Sequence, residues 1–90
     1  MLIPIRSSQF KRDVRLALKR GKDMHKLRVL IALLVMQTPL PETYLDHPLK
    51  GAWNGHREAH LEPDWLLAYR IVGEELHLTR SGTHAELFGE

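Results

Sequence analysis

The feature that most restricts the fold is a change of hydrophobic period along the chain, from a helical repeat before Pro39 to a strand-like pattern after Gly55. Phe10, Val14, Ala17 and Leu18 stand at i, i+4, i+7 and i+8, one face of a helix that leaves Lys11, Arg12, Arg15 and Lys19 outside. Ser7 or Ser8 can cap its start and Gly21 its end. Asp23 can cap a second helix, in which Leu27, Leu30, Ile31 and Leu34 form one stripe while Val29, Leu33 and Val35 widen it. This second helix is therefore expected to be the buried one. Pro39 and Pro41 end the helical stretch, and the Gly-, Pro- and aromatic-rich segment up to Gly55 reads as an ordered loop.

Residues 2–6 read as a short strand, placed at a sheet edge because Pro4 cannot donate to a ladder. After Gly55 the pattern predicts three strands, His56–Glu62, Trp65–Val72 and Glu75–Ser81, separated by turns at Pro63-Asp64 and Gly73-Glu74. They should form an antiparallel meander. Thr83 to Phe88 reads as a capped helical turn or a tail folding back on the sheet. The order β-α-α-β-β-β defines an α+β domain of two layers spanning residues 1–90.

Ninety residues suffice for one core and are too few for two. The longest apolar run, Val29 to Met36, falls far short of a bilayer span, so no membrane role is expected. No leader-like segment opens the sequence, and a cytoplasmic setting is expected. Net charge is only +2, yet residues 1–30 carry nine Lys/Arg against two acids, while residues 31–90 carry four against nine. That asymmetry fits a basic face for a polyanion and fits equally a merely solvated helix.

With no cysteine there is no disulfide, thiolate nucleophile, cysteine-ligated zinc or deaminase motif. Four of the six histidines, His47, His56, His60 and His84, lie in or beside the predicted sheet. In a strand His56 and His60 stand about 13 Å apart at roughly 3.3 Å per residue, too far to share one ion. Glu58 between them is misplaced for the zinc-protease helix motif. Neither Ser8 nor Ser81 sits in a Gly-rich elbow, which argues against a serine nucleophile. No metal and no cofactor are expected.

What remains is acid–base chemistry by imidazoles, with an arginine for phosphate and a carboxylate as partner. RNA cleavage needs those parts: the 2′-hydroxyl loses a proton, the 5′-oxygen gains one, and the charge on phosphorus oxygens must be stabilised. An isolated strand histidine is nevertheless more often packed or solvated than catalytic, and His25 and His77 are read that way. Trp53, Trp65, Tyr44 and Tyr69 read first as core or edge packing rather than base-stacking platforms. Composition alone leaves a nuclease the minority reading.

Three linked blocks change that balance: Asp46-His47-Pro48-Leu49-Lys50-Gly51; Arg57-Glu58-Ala59-His60-Leu61-Glu62-Pro63-Asp64-Trp65; and Arg80-Ser81-Gly82-Thr83-His84, followed by Leu87-Phe88-Gly89. With the basic start containing Lys22-Asp23-Met24, the chain resembles the YafQ-type toxins of the RelE superfamily over nearly its whole length. The resemblance implies a RelE-like fold, two helices on an antiparallel sheet. It implies a ribosome-dependent messenger-RNA endonuclease of a type II toxin–antitoxin pair, with the ribosome, messenger RNA and an antitoxin of the DinJ or RelB type as partners.

Carried over by position, the resemblance implies that His47, His60, Asp64, Arg80, His84 and Phe88 line the site, with Trp65 supporting it. In the expected roles His60 or His84 donates and accepts protons, Asp64 partners the histidines, Arg80 holds phosphate and Phe88 meets a nucleobase. Lys11, Arg12, Arg15, Lys19 and Lys50 are the expected RNA- and ribosome-binding charges. The wider superfamily often uses lysine, arginine and a C-terminal tyrosine, whereas this chain has Phe88 and its histidines. The alternative from another class is a ParE-like toxin that poisons gyrase without cutting RNA.

Overall fold

The computed structural model describes residues 1–89. Strand β1, Ile3–Arg6, runs straight into helix α1, Ser8–Lys19. Ser7 joins them: its oxygen accepts from the Phe10 amide at 2.9 Å, and its hydroxyl donates to the Thr79 carbonyl at 2.8 Å. One side chain thus caps the helix and ties it to the last strand. At the other end Gly21 takes φ +74°, and the Gly21 and Lys22 amides return to the Leu18 and Ala17 carbonyls, a Schellman closure. Helix α2, Met24–Val35, starts where Asp23 accepts from the His25 amide. It closes with the same pair of bonds around Gln37 at φ +55°, without a glycine to announce it.

Each helix buries one face only. In α1 the buried residues are Phe10, Asp13 and Ala17, and Leu18 is 64% exposed, which corrects its place in the expected stripe. An aspartate occupies the buried face because Arg80 and the Ser81 amide bind it there. In α2 Leu27, Leu30 and Leu34 of the expected stripe are buried while Val29, expected to widen it, is exposed. The two helices lie over the same sheet face, α1 chiefly on the last strand and α2 on the first strand of the meander.

The meander matches the expected strands closely: β3, Arg57–Glu62; β4, Trp65–Val72; and β5, Glu75–Gly82. A two-residue strand, β2, His47–Pro48, forms inside the expected loop and pairs antiparallel with β3, His47 opposite Glu58. The sheet order is β1-β5-β4-β3-β2. β1 occupies an edge, as Pro4 requires, but pairs parallel with β5, so the sheet is mixed. Leu67, Tyr69, Leu76, Leu78 and Ala59 meet α1 and α2 in the main core. Each large apolar side chain buried there contributes on the order of 1.5–3 kcal/mol.

A second, smaller apolar cluster lies apart from that core: Leu66, Ala68 and Leu87, flanked by Trp53 and Phe88. It seats the short helix α3, His84–Phe88, which carries the expected cap. Thr83 accepts from the Glu86 amide, and the Glu86 carboxylate accepts from the Thr83 amide. Through alternation along β3, Glu58 and His60 share a face that Ala59 does not.

Candidate active site

The loop before β2 is anchored by one carboxylate. Asp46 accepts from Arg57 through Nε and Nη2 and from the Tyr69 hydroxyl at 2.6 Å. Burial, with the bond to Asp46 next, pushes the Tyr69 phenol far above its usual range, so it stays a donor. Leu45 turns at φ +49°, and its carbonyl faces His47 Nδ1 at 2.8 Å. A carbonyl only accepts, so Nδ1 carries the proton and Nε2 is aimed at the sheet.

There His47 Nε2 lies 2.8 Å from Glu58 Oε2. The contact is an ion pair whenever the His47 ring is protonated. Glu58 is 4% exposed, and its other oxygen, 3.5 Å from His84 Nε2, has no hydrogen-bond partner among the described residues. His84 is fixed from behind: its Nδ1 is 2.8 Å from Asp64 Oδ1, which also accepts from the His84 amide at 2.9 Å. These two bonds, the backbone one foremost, hold the Asp64 carboxyl below its usual range. Asp64 thereby stays charged and selects the tautomer that presents Nε2 to the site.

His60 stands between the other two rings, its centroid 5.9 Å from that of His47 and 5.6 Å from that of His84. Its Nδ1 is buried and has no hydrogen-bond partner among the described residues. Leaving such an atom unpaired costs about 1–3 kcal/mol, a cost typical of sites that exchange protons or ligands. Beyond His84 the Phe88 ring follows at 6.3 Å and is held edge-on by Trp53 at 5.3 Å. Lys50, Trp53, Glu58, His84 and Phe88 line one open cleft.

The structure therefore brings together five of the six residues expected in the site: His47, His60, Asp64, His84 and Phe88. The sixth, Arg80, lies next to α3, with Nη1 3.5 Å from the Glu86 carbonyl and Nε and Nη2 on Asp13. Lys50 is on the cleft wall. Trp65 is 2% exposed, packed in the core beneath Lys22, so it supports the Asp64 turn and offers no surface to RNA. Lys11, Arg12, Arg15 and Lys19 are exposed on α1, across the sheet from the histidines.

His56 is separate. Its Nε2 bonds to Thr79 at 3.2 Å and its ring lies against Trp53; burial, then Arg70, lowers its pKa. Ser81 is buried with its hydroxyl on the Leu66 carbonyl. Glu58 and Trp53 belong to the site although the sequence reading left them out. The signal for Glu58 was the alternation itself, which puts a second polar residue beside His60 on a strand facing buried Leu66 and Ala68. The expected absence of a metal weighed the His56–His60 spacing, the zinc-protease motif and the lack of cysteine, and left His47 out. His47, Glu58 and His60 hold ligand atoms within 4.8 Å of one another, a donor set suited to a divalent ion such as zinc or copper.

A mixed sheet with two helices on one face and a histidine–carboxylate cleft on the other places the chain among the small bacterial toxins of toxin–antitoxin systems. The chain belongs to the YafQ family, bacterial toxins of type II toxin–antitoxin systems, whose family model matches residues 4–89. It is 55% identical over 84 residues to the mRNA interferase toxin YafQ of Escherichia coli K12, covering 92% of this chain and 91% of that protein. The crystal structure of the E. coli DinJ–YafQ complex superposes with a TM-score of 0.91 at 50% identity, covering 99% of this chain and 100% of the other. A metal-bound toxin from Helicobacter pylori superposes with a TM-score of 0.92 at 41% identity, covering 98% and 100%.

Proposed function

We propose that this protein is the toxin of a toxin–antitoxin pair and cleaves messenger RNA on the ribosome, in the cytoplasm, by metal-independent acid–base chemistry. The observation that carries the reading is the gathering of His47, His60 and His84 around buried Glu58, from two strands and a helix, beside Phe88 and Lys50. Three imidazoles at one carboxylate supply several nitrogens able to donate or accept a proton. The E. coli relative's name, mRNA interferase, supports RNA as substrate, and the DinJ–YafQ complex supports an antitoxin of that type as partner. A toxin that acted only by binding gyrase would have no use for this cluster.

In the proposed reaction the ribose 2′-oxygen attacks phosphorus, giving up its proton to one imidazole, while a second imidazole protonates the departing 5′-oxygen. His60 and His84 are the pair, their rings adjacent and His84 Nε2 directed by Asp64. Glu58 compensates the positive charge that appears on either ring. Phe88, braced by Trp53, stacks on a nucleobase, Lys50 meets backbone charge, and Arg80 binds a phosphate oxygen. The messenger is presented by the ribosome, to which the basic face of α1 adds attraction.

The metal-bound H. pylori toxin gives a second, compatible reading for the cluster. His47, Glu58 and His60 would hold a divalent ion, which supplies Lewis acidity where it binds. Held there, it takes up the imidazole lone pairs that proton transfer needs, and inhibition follows. The test of the main reading is a message carrying 2′-deoxyribose at the cut. It should resist cleavage, while the ribose message should yield a 2′,3′-cyclic or 3′-phosphate and a 5′-hydroxyl. Cleavage of the deoxy message at the ordinary rate eliminates 2′-hydroxyl attack.

A further inference from the structure

The buried acid in α1 lies outside the histidine cluster and holds Arg80. Asp13 is 7% exposed, the one charged residue that α1 buries. It sits where β1 stops: the parallel ladder ends at Arg6 opposite Leu78, and beyond it the outer edge of β5 has no strand partner among the described residues. Asp13 takes that place. Its Oδ2 accepts from the Ser81 amide at 3.0 Å and from Arg80 Nε at 3.0 Å; its Oδ1 accepts from Arg80 Nη2 and from Gln9 Nε2, each at 3.1 Å.

Four donors on one carboxylate leave it no freedom to turn, and the Nε–Nη2 fork leaves the guanidinium none either. A β-bulge between Ala68 and Tyr69 sets the register at this point, so that Arg80 stands opposite Ala68, in the second apolar cluster that seats α3. Of the five N–H groups of Arg80, two are committed to Asp13 and one makes a long 3.5 Å contact with the Glu86 carbonyl. The remaining N–H groups are directed away from Asp13.

We infer that Asp13 is the positioning residue for Arg80: it fixes the guanidinium so that the edge turned away from Asp13 meets the phosphate undergoing cleavage. The inference rests on the proposed reading of Arg80 as the phosphate-binding residue. Because Asp13 offsets the charge of Arg80, what the pair delivers is direction: hydrogen bonds at a set angle rather than net attraction. Substrate affinity should therefore change little when the pair is broken. The rate should change, since a displacement of about 1 Å at a reacting centre costs on the order of 100-fold.

The experiment is single-turnover cleavage on programmed ribosomes by wild type, Asp13→Asn, Arg80→Ala and the double variant, across a range of ribosome concentrations. Asp13→Asn should lower the maximal rate roughly 10- to 100-fold with little change in the half-saturating concentration. In the Arg80→Ala background it should have no further effect, which a merely structural role could not produce. Losses that multiply in the double variant, or a wild-type rate for Asp13→Asn beside a slow Arg80→Ala, overturn the inference alone. A wild-type rate for Arg80→Ala overturns the reading of Arg80 and the inference with it. If Asp13→Asn does not fold, Asp13→Glu keeps the ion pair and displaces the guanidinium by about one methylene; it should be slow while melting cooperatively, and a wild-type rate for it overturns the inference.

Discussion

Glu58→Gln separates chemistry from stability at the centre of the site. The change keeps the shape but removes the charge that His47 Nε2 meets at 2.8 Å and His84 Nε2 at 3.5 Å. Contact with a charged group is worth about 1.5–3 kcal/mol, or roughly 10- to 150-fold in rate, where the reaction passes through a charged imidazole. The charge 3.5 Å from His84 adds at most about 5 kcal/mol at an effective dielectric near 20, and His84 is partly open to water, which reduces it. The expected loss in single-turnover cleavage is thus between roughly 10- and 1,000-fold. Stability should move the other way. Glu58 is a buried carboxylate with one oxygen unpaired, and an amide there has less to lose by leaving water. Thermal melting should stay level or rise by a few degrees, since about 1 kcal/mol moves a domain of this size by about 4–8 °C. A variant that melts well below wild type and cuts at the wild-type rate would assign Glu58 to structure and refute the reasoning.

Replacing Lys11, Arg12, Arg15 and Lys19 with glutamine should weaken ribosome association measured by sedimentation, and the wild-type advantage should shrink as salt is added; excess protein should restore cutting. Glu86 is pushed down to about 2, chiefly by its bond from Arg20, so its contribution is complete above its ordinary 4.5 and is lost as pH falls toward 2. The melting gap between wild type and Glu86→Gln should accordingly be constant from about pH 6 to 8 and close on acidification below about pH 5. Zinc or copper should inhibit cleavage by occupying His47, Glu58 and His60, with a chelator restoring full activity; in His47→Ala the metal should bind at least tenfold more weakly by calorimetry.

The helices and the three-strand meander were legible because each repeats its period for eight residues or more or is bounded by a cap or turn residue, as at Asp23, Gly21 and Gly73-Glu74. What was not legible depends on partners distant in the chain. Asp13 is buried by Arg80, 67 positions away, and no local rule places an acid on an apolar stripe where Leu18 was expected. Strand His47–Pro48 is too short to show any period, so its pairing with β3, and hence the His47–Glu58 contact, could not be foreseen. The parallel docking of β1 against β5 follows from the path of two helices rather than from the residues of β1. The histidines and Phe88 could be picked out only through linked blocks resembling a family; the residue that joins the rings, Glu58, carried a weaker signal than the histidines it serves.

The most direct measurement is single-turnover cleavage by a His60→Ala/His84→Ala variant, first shown by circular dichroism and melting to be folded. Removing one general acid or base typically costs about 100- to 10,000-fold, and paired groups are not additive. The double variant should therefore cut at least about 100-fold more slowly than wild type while binding ribosomes as tightly, and excess protein should not restore the rate. A folded double variant that cut at the wild-type rate would contradict acid–base catalysis by these two histidines.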